Sequence, residues 1–198
     1  MICASPANIE RCPWAGNDPL YVAYHDTEWG VPCHDERTLF EFIVLEGAQA
    51  GLSWITVLRK RENYRRAMDD FNVETIARYG ADDVARLMAD AGIIRNRLKI
   101  ESTIANARAT CALYAAGRTL DSLLWQFVDG RPVINHWQKM SQVPASTPVA
   151  AAMSKELKNL GFRFVGPTVM YSHMQATGMV NDHLLNCPRH TTLCNPVP

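Results

Sequence analysis

Apolar side chains recur at spacings of three and four along most of this 198-residue chain, a period that helices satisfy and strands do not. The spacing predicts helices over 36–50, 53–69, 82–90, 95–116, 119–128, 150–160 and 168–179. Period-two alternation occurs only briefly, over 131–137, so the fold class read from the sequence is all-α. Asn72, Asp121 and Thr147 stand where helix starts need a side-chain acceptor for unpaired backbone N–H groups. Breaks fall at 32–35, at 69–72, near Ala91 and Gly92, at 128–132 and at 142–148, and none is long enough to be a linker. Residues 1–198 are therefore read as one compact unit.

No stretch approaches the roughly 18 apolar residues of a membrane span, and the first ten residues lack the basic start and apolar run of a secretory signal. A cytoplasmic protein without membrane contact is expected. There the six cysteines, Cys3, Cys12, Cys33, Cys111, Cys187 and Cys194, stay reduced, which leaves metal binding or packing as their roles. A net charge of zero argues against a uniformly basic nucleic-acid binder. The distribution is uneven, however: residues 1–50 carry eight acidic and two basic side chains, residues 95–198 eleven basic and five acidic ones. A polarised surface with one basic face follows.

His183 and Cys187 stand four apart, which places both side chains within reach of one ion. Cys12 and His25, separated by twelve residues, could complete a tetrahedron joining the terminal segments 11–30 and 180–190. Four protein ligands leave no open position, so such a zinc would be structural. His190 and Cys194 repeat the same spacing and Cys33 adjoins His34, so arithmetic alone leaves two C-terminal pairs in competition.

Leu39, Ile43, Glu46, Ala50, Trp54 and Val57 follow a four-three-four-four-three spacing in which Glu46 interrupts the apolar stripe. A helix running straight through would turn this carboxylate inward, at a cost of several kcal/mol unless a partner such as a cationic or donor-bearing ligand compensates. A break at Gly47, Gly51 and Ser53 would instead leave Glu46 near a helix end, bonded to backbone. Trp14, Tyr21, Tyr24 and Trp29 crowd sixteen positions and Trp54 follows, a set that builds either ordinary core or a flat cavity. Stacked rings with a carboxylate suit an extruded, positively charged purine. Over 90–100 a helix ends, a turn holds Gly92, and a helix with Arg95, Arg97 and Lys99 nearby begins, the pattern of a helix-hairpin-helix that binds phosphate without reading bases.

The blocks RCPWAGNDPLYVAYHDTEWGVP, LFEFIVLEGAQAGLSWITVLRKRENYR, LMADAGIIRNRLKI and GFRFVGPTVMYSHMQATGMVNDH together resemble the DNA-3-methyladenine glycosylase I family, from about Arg11 to Cys187. That resemblance implies a helix-hairpin-helix glycosylase domain with one zinc joining the termini through Cys12, His25, His183 and Cys187. It implies Glu46 as the recognition carboxylate and Tyr24 as a hydrogen-bonding partner, these two taken as the catalytic pair, and Trp54 as the stacking platform. Trp14, Tyr21 and Trp29 should line the pocket, Gly51 and Leu52 should approach the gap left in the duplex, and the hairpin residues Gly92, Ile93 and Arg95 should hold the DNA backbone.

The implied activity is monofunctional hydrolysis of the N-glycosidic bond of 3-methyladenine, flipped out of alkylated double-stranded DNA, by a monomeric repair enzyme. The family lacks the catalytic aspartate of related enzymes, and the segment after this hairpin offers none. Two departures stand out: His173 replaces a common Phe, and the tail from Pro188 follows the family poorly. Two other readings remain: a glycosylase with lyase activity, which needs a lysine in the pocket, and a non-catalytic zinc-stabilised DNA-binding module, which has no use for a carboxylate among aromatic rings.

Overall fold

The computed structural model describes residues 10–194, so Cys3 and residues 195–198 of the tail lie outside it. The helices are α1 (Pro19–Thr27), α2 (Glu36–Gln49), α3 (Trp54–Leu58), α4 (Arg61–Ala67), α5 (Val73–Ala77), α6 (Ala81–Ala89), α7 (Arg97–Ala115), α8 (Leu120–Trp125), α9 (Pro148–Asn159), α10 (Pro167–Ala176) and α11 (Pro188–Cys194). The fold is thus mostly helical. One departure from all-α is a two-residue parallel pairing of β1 (Val133–Ile134) with β2 (Val180–Asn181). Among the described residues, no helix is long and apolar enough to cross a membrane.

The expected helix over 53–69 divides at Arg59 and Lys60 into α3 and α4. Helices α1 and α11 were not foreseen, and of α5 only the start at Asn72 was, because α5 and α11 are short and α1 carries its aromatics on several faces. Even so, the start of α1 is written locally: the Asp18 carboxylate accepts from Leu20 N at 3.0 Å and Tyr21 N at 3.3 Å, and Pro19 has no N–H to satisfy. Asn72 and Thr147 cap α5 and α9 as expected, through Thr75 N at 2.8 Å and Ala150 N at 3.1 Å. Asp121 does not cap α8; Thr119 does, at 3.0 Å from Ser122 N, and Asp121 instead meets His34 Nδ1 at 2.6 Å from inside the first turn.

Helix α2 runs through the core with Leu39, Phe40, Phe42, Ile43, Val44, Leu45 and Ala48 all buried. A helix apolar all round belongs inside, with α3, α7, α8 and α10 packed on it. Two carboxylates on α2 are buried with it, and they differ. Glu41 meets Arg61 Nε at 2.6 Å and Arg65 Nε at 3.0 Å, whereas Glu46 Oε2 has no hydrogen-bond partner. Gly178, at φ +70°, closes the far side of the core: a Cβ there would lie 2.3 Å from the Val31 carbonyl carbon, so only glycine lets the turn after α10 press on the chain following α1.

His173 of α10 is fully buried with neither ring nitrogen hydrogen-bonded, and burial pushes its pKa down to about 3. His173→Phe should therefore raise stability by roughly 1–2 kcal/mol, or about 2–8 °C in Tm, by removing two unsatisfied polar atoms. The unfolded chain binds this proton below about pH 6.5 and the folded one does not, so the parent also loses stability as pH falls below 6.5. Melting curves from pH 7 to 5 check this. A variant that melts lower at pH 7, or whose advantage shrinks toward pH 5, would show that His173 has a partner after all.

Candidate active site

Glu46 lies in the last turn of α2, and the chain does break just beyond it: Gly51 takes φ +80°, Leu52 stands 40% exposed, and α3 begins at Trp54. Both local expectations are thus half met, since the helix ends near Glu46 yet its side chain turns inward without a backbone partner. Burial alone raises its carboxyl to about 8. The C-terminal end of a helix also disfavours a negative charge.

A cavity of about 170 Å³ opens beside this carboxyl, far more than the roughly 10–15 Å³ that one water needs. Trp14, Tyr24, Trp29 and Trp54 wall it together with Glu46. The Tyr24 and Trp54 rings lie 5.4 Å apart, Trp14 and Trp29 4.8 Å apart, and Trp54 stacks on Phe42 at 6.2 Å. Tyr24 is itself buried, and desolvation together with the Glu46 charge holds its phenol well above the usual range, so it remains a hydrogen-bond donor. Trp54 Nε1 is a second buried polar atom without a partner.

Tyr21 does not line the cavity. It packs behind Trp14, ring to ring at 5.0 Å, and supports the wall from outside. Residues that sequence reasoning missed complete the lining: Gln49, Met140, Val143, Ser172, Gln175 and Asp182. Ser172 and Gln175 stand three apart on one face of α10, a polar pair that periodicity could have flagged. Asp182 adjoins His183 within a quoted block but gave no separate signal.

Gly51 and Leu52 line a groove that shares Glu46, Gln49 and Ser172 with the cavity, so the exposed Leu52 stands at its mouth. The α6–α7 turn is tied to the same helix end, because Lys99 Nζ donates to the carbonyls of Ala48 and Ala50, both at 2.7 Å. Within the turn Ile93 is buried, while Gly92 N is taken by Asp90 Oδ1 at 2.6 Å and Ile94 N by Tyr64 Oη at 3.1 Å. Arg95 and the start of α7 are the exposed part.

Next to the aromatic wall, Cys12, His25, His183 and Cys187 converge, all buried, with ligand atoms within 4.8 Å of one another. Cys12 Sγ lies 3.7 Å from His183 Nδ1, and Cys187 Sγ lies 3.6 Å from both His183 Nδ1 and His25 Nε2. A tetrahedron of zinc-length bonds has edges of roughly 3.3–3.8 Å, so the set fits such an ion. The outer nitrogens are also engaged: His25 Nδ1 lies 2.8 Å from Asp26 and His183 Nε2 lies 3.0 Å from the Trp29 carbonyl, which leaves the inner nitrogens as lone pairs. His190 and Cys194 stand apart as their own pair at 3.8 Å, with His190 Nε2 on the Asn135 carbonyl at 2.8 Å.

The methyladenine glycosylase family model matches residues 14–190. The chain is 51% identical over 179 residues to DNA-3-methyladenine glycosylase 1 of Escherichia coli (strain K12), covering 90% of this chain and 96% of that protein. DNA-3-methyladenine glycosylase of Haemophilus influenzae (strain ATCC 51907 / DSM 11121 / KW20 / Rd) is 46% identical, with 92% and 98% covered. A solved 3-methyladenine DNA glycosylase I from Staphylococcus aureus, described for its recognition of 3-methyladenine, superimposes with a TM-score of 0.88 at 36% identity, covering 91% of this chain and 96% of that one. With the match spanning the aromatic wall, the buried carboxylate and three of the four Cys/His cluster residues, the chain belongs to the methyladenine glycosylase family.

Proposed function

We propose that this protein excises 3-methyladenine from alkylated DNA, and the observation that carries the reading is the unpartnered carboxyl of Glu46 in an aromatic-walled cavity. With its pKa at about 8, ionising Glu46 at pH 7 costs roughly 1.4 kcal/mol. A hydrogen bond to a charged group returns roughly 1.5–3 kcal/mol, so a neutral base gains little and a cationic purine gains the charge attraction in addition. N3-methylation supplies that charge. It also weakens the glycosidic bond, because the base departs neutral and little acid catalysis is needed.

In this reading Glu46 accepts from the exocyclic amine, Tyr24 donates to the base, Trp54 stacks on it, and the closed walls keep it out of water. Leu52 and Gly51 occupy the gap left by the flipped nucleotide. The four Cys and His ligands hold one zinc that joins the chain ends and takes no part in the reaction. Incubating the protein with methylated DNA and chromatographing released bases tests the proposal: free 3-methyladenine is expected, and release of no base would remove it.

A lyase step needs an amine at the sugar, and no lysine lines the cavity, which supports the monofunctional reading. A pure binding module would gain nothing from an unpaired buried carboxyl, which supports an enzyme. DNA contact falls to the exposed end of the helix-hairpin-helix, since the backbone N–H groups of Gly92 and Ile94 are already taken within the protein. Arg95→Ala is accordingly expected to weaken DNA binding several-fold and to reduce the slope of log affinity against log salt by about one. Binding of free 3-methyladenine should not change. An unaltered salt slope would show that Arg95 meets no phosphate.

A further inference from the structure

Asp182 is almost fully buried in the cavity wall and accepts four hydrogen bonds. Asn135 Nδ2 at 2.7 Å and Trp137 Nε1 at 2.8 Å hold Oδ1, while Tyr171 Oη at 2.6 Å and Gln175 Nε2 at 2.8 Å hold Oδ2. Every lone-pair site is filled, so this carboxylate has no capacity left for a ligand. Its effect must pass through a neighbour. An ionised carboxylate only accepts, so it fixes which end of the Gln175 amide faces it: the NH2 group turns to Asp182 and the carbonyl oxygen becomes the free end. Gln175 is half-buried and lines the same cavity as Glu46.

We infer that Gln175 is a specificity-determining residue of the cavity, a second fixed acceptor beside Glu46 that favours a 6-amino over a 6-oxo purine, and that Asp182 is the positioning residue that sets its orientation. The inference rests on the base-excision reading above. A 3-methylated adenine brings an exocyclic amine with two N–H donors to two acceptors. A 3-methylated guanine brings a carbonyl oxygen at the same ring position, which leaves both protein oxygens facing an acceptor. A site built around a donor on its substrate rejects the analogue lacking it more strongly than shape alone can. Gln175 belongs to α10 and Asp182 follows β2 directly, so the selectivity is held by a part of the chain far in sequence from Glu46.

Two variants test this. Gln175→Met keeps length and removes the acceptor. Asp182→Asn keeps shape and inverts the amide: Trp137 Nε1 is a donor only, so the new side-chain oxygen must stay on that side, its nitrogen faces Gln175, and Gln175 must turn its own oxygen inward and its NH2 outward. The measurement is release of 3-methyladenine and 3-methylguanine from methylated DNA, with titration of the two free bases, and with zinc content and melting temperature as controls. The ratio of the two release rates is expected to fall about tenfold in Gln175→Met and further in Asp182→Asn, where a donor replaces the acceptor. A purely structural role would slow both bases alike. An unchanged ratio in both variants overturns the inference, whereas a parent that releases neither base overturns the excision reading beneath it.

Discussion

Glu46→Gln is expected to yield a protein more stable than the parent at pH 8 by roughly 2–4 kcal/mol, yet one that binds the cationic 3-methyladenine of alkylated DNA about tenfold to hundredfold more weakly. The two effects share one cause. The carboxyl titrates near 8 in the fold, above its ordinary value of 4.5, because it is buried without a partner. Between those values the native protein holds a proton that the unfolded chain has released, so parent stability falls as pH rises from about 4.5 to 8 and then levels. The full difference corresponds to nearly 5 kcal/mol, and relaxation with water entering the cavity brings the expectation down to the range given. Removing the charge removes that slope. It also removes the charge that complements a cationic purine, so excision should slow, though less than binding weakens, since the substrate's own charge drives bond cleavage. Melting curves across pH 5–8 with titration of methylated DNA and single-turnover excision decide it. Parallel pH profiles for parent and variant would mean that Glu46 is solvated in the fold, and equal base affinity would make it a structural residue.

Cys187→Ser is expected to abolish metal retention and lower stability by at least about 3 kcal/mol, or roughly 6–12 °C in Tm. The four ligand atoms are all buried, and two come from each end of the chain, so without an ion the cluster confronts two sulfurs and two imidazole lone pairs with nothing between them. Parent protein should carry one zinc per chain by elemental analysis, and strong chelators should reproduce the destabilisation. The rings that wall the cavity lean on this cluster: Trp29 lies 4.6 Å from the His183 ring and Trp14 5.1 Å from the His25 ring. Base affinity should therefore weaken secondarily on metal loss and recover on zinc addition. Purified parent with less than half an equivalent of metal, or a Cys187→Ser protein with unchanged content, would falsify the zinc assignment.

Much of the site was legible one piece at a time. The stripe from Leu39 to Val57 announced both the core helix α2 and the carboxyl that violates it, because burial of a helix face is written in a period of 3.6 residues. Local capping at Asn72 and Thr147 was equally visible. The division of 53–69 was not, since α3 and α4 keep their apolar faces on one core and only the turn at Arg59 and Lys60 separates them.

Sequence by itself determined the helical class, a carboxyl interrupting the apolar stripe of α2, and a supply of Cys and His at both ends large enough for a metal. Those properties depend on residues a few positions apart, whose relation the backbone period fixes. Only the tertiary structure separated Tyr21 from the rings that touch the cavity, paired His190 with Cys194 outside the Cys/His cluster, and brought Gln175 of α10 and Asp182 just after β2 to the cavity that Glu46 lines. Those outcomes depend on how the turns at Gly51 and Gly178 aim whole helices at one another. Convergence of side chains more than 100 residues apart is a property of packed geometry, on which no local period carries information.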